Sequence, residues 1–132
     1  MILIIGGANQ GKLEWYLHQQ EQKRQQVCEG SDLALDCLPP APVLNHLHNW
    51  VRRMVQAGKD GEAIWAVMQE YLQRCPDAVI LCDEIGCGVV PIDPTERLWR
   101  EETGRLCCRL AERAEQVERV FCSIGMTIKG GR

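Results

Sequence analysis

Met1-Ile2-Leu3-Ile4-Ile5, running into Gly6-Gly7-Ala8-Asn9-Gln10-Gly11-Lys12-Leu13, decides the fold. The first five residues are a continuous apolar run, the pattern of a short strand buried on both faces. The paired glycines end it in a turn. From Lys12 to about Gln26 the chain is rich in Leu, Glu, Gln, Lys and Arg, all good helix formers, so a helix is expected there. Its second half, Gln19 to Gln26, is polar on every side. Gly6 to Lys12 therefore fits G-x-x-x-x-G-K between a strand and a helix, the context that gives this pattern its meaning. Glycines let consecutive backbone N–H groups turn inward around an anion. The helix N-terminus adds the positive end of its dipole, and the lysine neutralises charge on the terminal phosphates. The predicted nucleotide contacts are Gly6, Gly7, Ala8, Asn9, Gln10, Gly11, Lys12 and Leu13. The competing reading is a Gly-rich turn that binds nothing. Ser or Thr should follow the lysine to hold Mg2+ through its hydroxyl, and Leu13 cannot ligate a cation.

Outward from this loop the pattern alternates. Leu33 to Leu38, closed by Pro39 and Pro40, suits a short buried strand with Asp36 near its C-terminal end. Val43, Leu44, Leu47, Trp50, Val51, Met54 and Val55 follow the spacing of one helix face. Ile64, Val67, Met68, Tyr71 and Leu72 repeat it in a second helix ending before Pro76. Ala78 to Cys82 is another buried strand and leads into Asp83, Glu84 and a Gly-x-Gly turn. Asp93 can cap a helix with Pro94 at its first position and Glu96 closing a variant capping box. That helix carries Leu98, Leu106, Leu110, Ala114 and Val117. Val120 to Ser123 forms the last strand, before a turn at Gly125 and a basic tail. This order predicts an α/β fold, a P-loop NTPase-like three-layer sandwich with a mostly parallel central sheet, in a single domain over residues 1–132. Ligands in such sheets bind beyond the C-terminal ends of the strands.

Composition narrows the function. The chain has 132 residues, 45% of them apolar, and a net charge of −3 from 15 basic and 18 acidic side chains. That suffices for one core and leaves no electrostatic footprint for nucleic acid. No apolar run reaches the roughly 20 residues of a membrane span, and the N-terminus lacks signal-peptide features, so a cytoplasmic protein is expected. Eight cysteines include no C-x-x-C pair, which argues for core filling ahead of a zinc or redox role. Asp36 could hold Mg2+ or deprotonate an acceptor hydroxyl. Asp83 and Glu84 are neighbours, so in an extended segment only one can enter a shared site. His46 and His48, two positions apart on the predicted helix, cannot meet on one face and read as solvated.

Three stretches carry a family resemblance: Gly6-Gly7-Ala8-x-x-Gly11-Lys12, Asp36-Cys37-Leu38, and above all Asp83-Glu84-Ile85-Gly86-Cys87-Gly88-Val89-Val90-Pro91. Here the chain resembles the bifunctional adenosylcobinamide kinase / adenosylcobinamide-phosphate guanylyltransferase family of cobalamin biosynthesis. Arg97, Arg100, Gly104 and Arg105 match that family's Arg-containing helix, and Cys122 to Lys129 resembles its closing strand and tail. The resemblance implies a kinase using GTP or ATP with Mg2+, a corrinoid substrate, and Lys12, Asp36 and Glu84 as catalytic residues. Asp36 and Glu84 would also serve the metal, Glu84 being preferred to Asp83. It also implies an oligomer, which the polar helix end and four tryptophans could support. Three substitutions depart from the family: Leu13 for Ser, Asp83 for Asn and Pro39 for Thr. Only 23 residues separate Lys12 from Asp36, where the family carries the histidine that accepts the guanylyl group. The expected function is thus the kinase step without the guanylyltransferase step. The alternative is a non-catalytic nucleotide- or corrinoid-binding relative that regulates or assembles.

Overall fold

A six-stranded sheet in the order β2-β3-β4-β1-β5-β6 organises the protein, seen in a computed structural model that describes residues 1–20 and 26–131. The strands are β1 (Ile2–Gly6), β2 (Val27–Glu29), β3 (Val43–Asn45), β4 (Val79–Asp83), β5 (Gln116–Phe121) and β6 (Ile124–Lys129). The first five in spatial order are parallel, and β6 runs antiparallel to β5. The helices are α1 (Lys12–Gln19), α2 (Leu47–Gln56), α3 (Gly61–Arg74) and α4 (Pro94–Arg113). Alternate strand residues face opposite ways. Leu3, Leu44, Ile80 and Val117 therefore pack under α2, α3 and α4, whose Trp50, Met68 and Leu110 are fully buried. Ile4, Val43, Leu81 and Val120 form the opposite face against Tyr16 of α1. The result is the expected α/β three-layer sandwich. No helix among the described residues is long and apolar enough to cross a membrane.

Several elements differ from the sequence expectation. The predicted first helix stops at Gln19, and its extension over residues 21–25 lies outside the described residues. The second strand is Val27–Glu29, and the Leu33 to Leu38 segment is irregular. Side chains take that segment's carbonyls in place of a ladder. Trp50 Nε1 donates to Ala34 O (3.0 Å), Arg74 Nη2 to Leu38 O (2.7 Å) and Tyr71 Oη to Ala41 O (2.6 Å). Arg53 donates to the carbonyls of Gly30 and Leu33. Leu33, Leu38 and Ala41 stay buried without strand geometry. Val43 to Asn45 is a strand rather than a first helical turn, and His46, at φ 55°, turns the chain into α2.

The last helix ends at Arg113, so Val117 belongs to β5, and Gly125, expected as a turn, lies inside strand β6, which runs to Lys129. Cys122 and Ser123 both have positive φ, 51° and 61°, the two-residue turn that suits a twisted hairpin. Asp93 caps α4 by accepting from Thr95 N (3.0 Å), while Glu96 pairs with Arg52 instead of turning back. The cysteines fill the core less than expected. Cys82 is buried, but Cys37, Cys87, Cys108 and Cys122 are exposed, and all eight are free thiols.

Candidate functional site

The loop after β1 is fitted to its surroundings at the glycines. A Cβ on Gly6 would fall on the Val120 carbonyl, and one on Gly11, at φ 83°, would fall on Ser123 Oγ. Gln10 fastens the loop to the β5–β6 turn: its Oε1 accepts from Cys122 N (2.7 Å) and its carbonyl from Ser123 N (2.8 Å). Lys12 lies beneath the loop, only 6% exposed. Its Nζ donates to Gly7 O (2.8 Å) and Gly6 O (3.3 Å) and stands 2.6 Å from Asp83 Oδ1. The parallel register places Asp83 beside Gly6, so the ends of β4 and β1 bring carboxylate and lysine together.

His48 completes this pair. It is buried, and its Nδ1 accepts from Asp83 N (3.2 Å). In the neutral ring the proton is then on Nε2, which faces Asp83 Oδ2 at 3.4 Å. Burial pushes the His48 imidazole below its ordinary value. The Asp83 charge pulls it up, and His46, Lys12 and Arg52 push it further down. Trp99 of α4 donates from Nε1 to His48 O (2.6 Å) and fixes the start of α2.

A second polar cluster stands at the ends of β2 and β3. Glu29 Oε1 accepts from Asn45 Nδ2 (2.8 Å), and Glu29 Oε2 lies 2.7 Å from His46 Nδ1. The two histidine rings meet edge to face with centroids 5.5 Å apart. Loop residues Asn9 to Glu14, together with Glu29, Asn45, His46, Asp83 and Ser123, line one open cavity of about 530 Å3.

The structure thus brings together only part of the predicted set. Lys12 and the loop are in place. Asp36 is not: it lines a separate hollow with Leu35, Met54, Lys59, Ala63 and Val67. Asp36 ends no strand; β2 and β3, which flank it in the chain, end at Glu29 and Asn45. Glu84 is also turned away, bridged by Arg119 through Nε–Oε1 (2.9 Å) and Nη2–Oε2 (3.2 Å), while Asp83 enters the site. His48, expected in solvent, is buried: the predicted face of Leu47, Trp50, Val51 and Met54 still packs inward, and the first turn of α2 also lies against Asp83 and Trp99. Leu13 is partly buried against the Ile4 and Tyr16 cluster.

These residues do not form a resident Mg2+ site. Leu13 has no donor, Asp83 is engaged by Lys12 and His48, and Glu84 by Arg119. Among the described residues no group of three or more His, Cys, Asp or Glu could hold a metal ion.

Comparison with known proteins extends this picture. A family model described as cobinamide kinase / cobinamide phosphate guanyltransferase matches residues 33–128, a span that begins after the Gly6 to Lys12 loop. The bifunctional adenosylcobalamin biosynthesis protein CobU of Salmonella typhimurium is 43% identical over 58 residues, 43% of this chain and 32% of that protein. Its counterpart from Escherichia coli is 39% identical over 72 residues, 52% of this chain and 40% of that protein. The matched segments thus span about a third to two-fifths of the length of these curated relatives. Because the family model covers well over half of the sequence, the chain belongs to the cobinamide kinase / cobinamide phosphate guanyltransferase family.

Proposed function

We propose that the protein binds the triphosphate of GTP or ATP over Gly6 to Leu13 and transfers the terminal phosphoryl group to the alcohol of adenosylcobinamide. The observation that carries this reading is the buried pair of Lys12 and Asp83, 2.6 Å apart where β1 and β4 end. Phosphoryl transfer depends mainly on positioning and charge neutralisation. In this reading the loop N–H groups and the start of α1 take phosphate oxygens, and Lys12 exchanges its carbonyl partners for them. Asp83, oriented by His48, keeps the ammonium centred. Mg2+ enters as part of the nucleotide substrate. Asp36 and Glu84 have no part here, and Asp83 enters the site to hold Lys12 rather than a metal. The short Lys12 to Asp36 interval supports a protein without the guanylyltransferase step. For the self-association expected from the family, exposed apolar side chains stand at Phe121, Ile124, Met126 and Ile128 on the β5–β6 hairpin and at Val89, Val90 and Ile92 before α4.

The test is incubation of purified protein with γ-labelled GTP or ATP, Mg2+ and adenosylcobinamide. Labelled adenosylcobinamide phosphate is expected from the native protein and none from Lys12→Ala. Absence of product from the native protein removes the kinase reading. A second reading, nucleotide binding without turnover, is favoured by Leu13 and by the Glu84–Arg119 bridge. Titration calorimetry with and without Mg2+ separates the two: metal-independent affinity without product supports the binding module.

A further inference from the structure

We propose that His46, held by Glu29, is the general base that takes the proton from the acceptor hydroxyl, an inference that rests on the phosphoryl-transfer reading above. His46 and Glu29 line the same cavity as Lys12 and Asp83, at neighbouring strand ends. Their geometry fixes the tautomer. A carboxylate only accepts hydrogen bonds, so the 2.7 Å contact places a proton on His46 Nδ1 and leaves the lone pair of the neutral ring on Nε2. Glu29 is itself immobilised, because its other oxygen accepts from the buried Asn45 amide. This is the arrangement of a base oriented by a third group.

The backbone supports the assignment. His46 has φ 55° and ψ 51°, a left-handed conformation uncommon outside glycine though adopted by histidine more readily than by most residues, and it makes no side-chain capping bond to α2. Gly30 allows the approach: a Cβ there would fall on the His46 carbonyl. Helix capping therefore does not account for a histidine at this position.

The other candidates are engaged or misplaced. His48 has Nδ1 occupied by the Asp83 amide and Nε2 directed at its carboxylate. Both Asp83 oxygens are taken, Glu84 is bridged to Arg119, and Asp36 lines another hollow. Glu14 lines the same cavity, but as an exposed carboxylate in the first turn of α1.

The acceptor O–H bond breaks and its proton passes to His46 Nε2. The acceptor oxygen bonds to the γ-phosphorus while the bond from that phosphorus to the β,γ-bridging oxygen breaks. The electron pair leaves on the nucleoside diphosphate. Glu29 stabilises the imidazolium until it returns the proton to solvent.

The test compares native protein with His46→Asn and Glu29→Gln. Asparagine tolerates the left-handed backbone, so the fold is kept. In His46→Asn, kcat is expected to fall about 100-fold or more, with nucleotide affinity by calorimetry unchanged, and added imidazole is expected to restore part of the rate. Glu29→Gln should lower kcat with little effect on KM. A His46→Asn rate close to native overturns the base while leaving the kinase reading intact. Failure of the native protein to make product overturns both. Lys12→Ala, which is expected to lose nucleotide affinity, marks the difference between a binding and a proton-transfer defect.

Discussion

His48 illustrates how one side chain couples the site to stability. The folded protein favours its neutral form, because burial lowers its affinity for a proton below that of the unfolded chain, near 6.5. The contribution is therefore complete above about pH 6.5 and is lost as pH falls through the lower folded value. The melting temperature should decline below that point, and His48→Gln should flatten the decline. An identical acid profile in the variant would contradict the assignment. Gly11→Ala places a Cβ on Ser123 Oγ and strains φ at 83°. We expect a loss of about 1–3 kcal/mol in urea unfolding, since left-handed strain and a clash coincide. The placement of Lys12 and Gly11 after β1 was legible in the sequence because their spacing reports a backbone requirement. The placement of Asp83, Glu29 and His46 was not, since it depends on which strand ends are neighbours.

At the scale of elements, the legible parts were those whose periodicity had one explanation. β1, β4, α3 and the start of α4 fall where the pattern put them. The Val43 to Val55 stretch failed because a buried strand running straight into a helix mimics continuous helical spacing. β6 was hidden by its turn, since Cys122-Ser123 adopts a conformation more commonly marked by Asn-Gly. The irregular segment before β3 depends on donors from α2 and α3. Tyr71→Phe leaves the Ala41 carbonyl without its 2.6 Å partner in a buried setting, and should cost about 1–2 kcal/mol. Faster amide exchange over residues 33–42 would locate the damage. Gly104 of α4 is exposed with open space where a Cβ would stand. Gly104→Ala should therefore stabilise the protein by about 0.5–1 kcal/mol in the same unfolding assay.

For the whole molecule, the strand order explains why the site exists. Placing β4 between β1 and β3 sets Asp83 between Lys12 on one side and the Asn45-His46 corner on the other. The polar groups then form one line along the C-terminal edge, from Glu29 through the two histidines to Lys12. The fold class and the loop could be read from the chain, but the sheet order could not, and the sheet order chooses Asp83 over Glu84 and Asp36. In the function proposed above, this edge binds a nucleoside triphosphate through Lys12. Titration calorimetry of GTP and ATP into native protein and Lys12→Ala tests it most directly. Saturable binding by the native protein is expected, weakened by about 10- to 100-fold in the variant, the worth of a charge-assisted contact. Equal affinity in the two proteins, or no binding by the native protein at millimolar nucleotide, would contradict it.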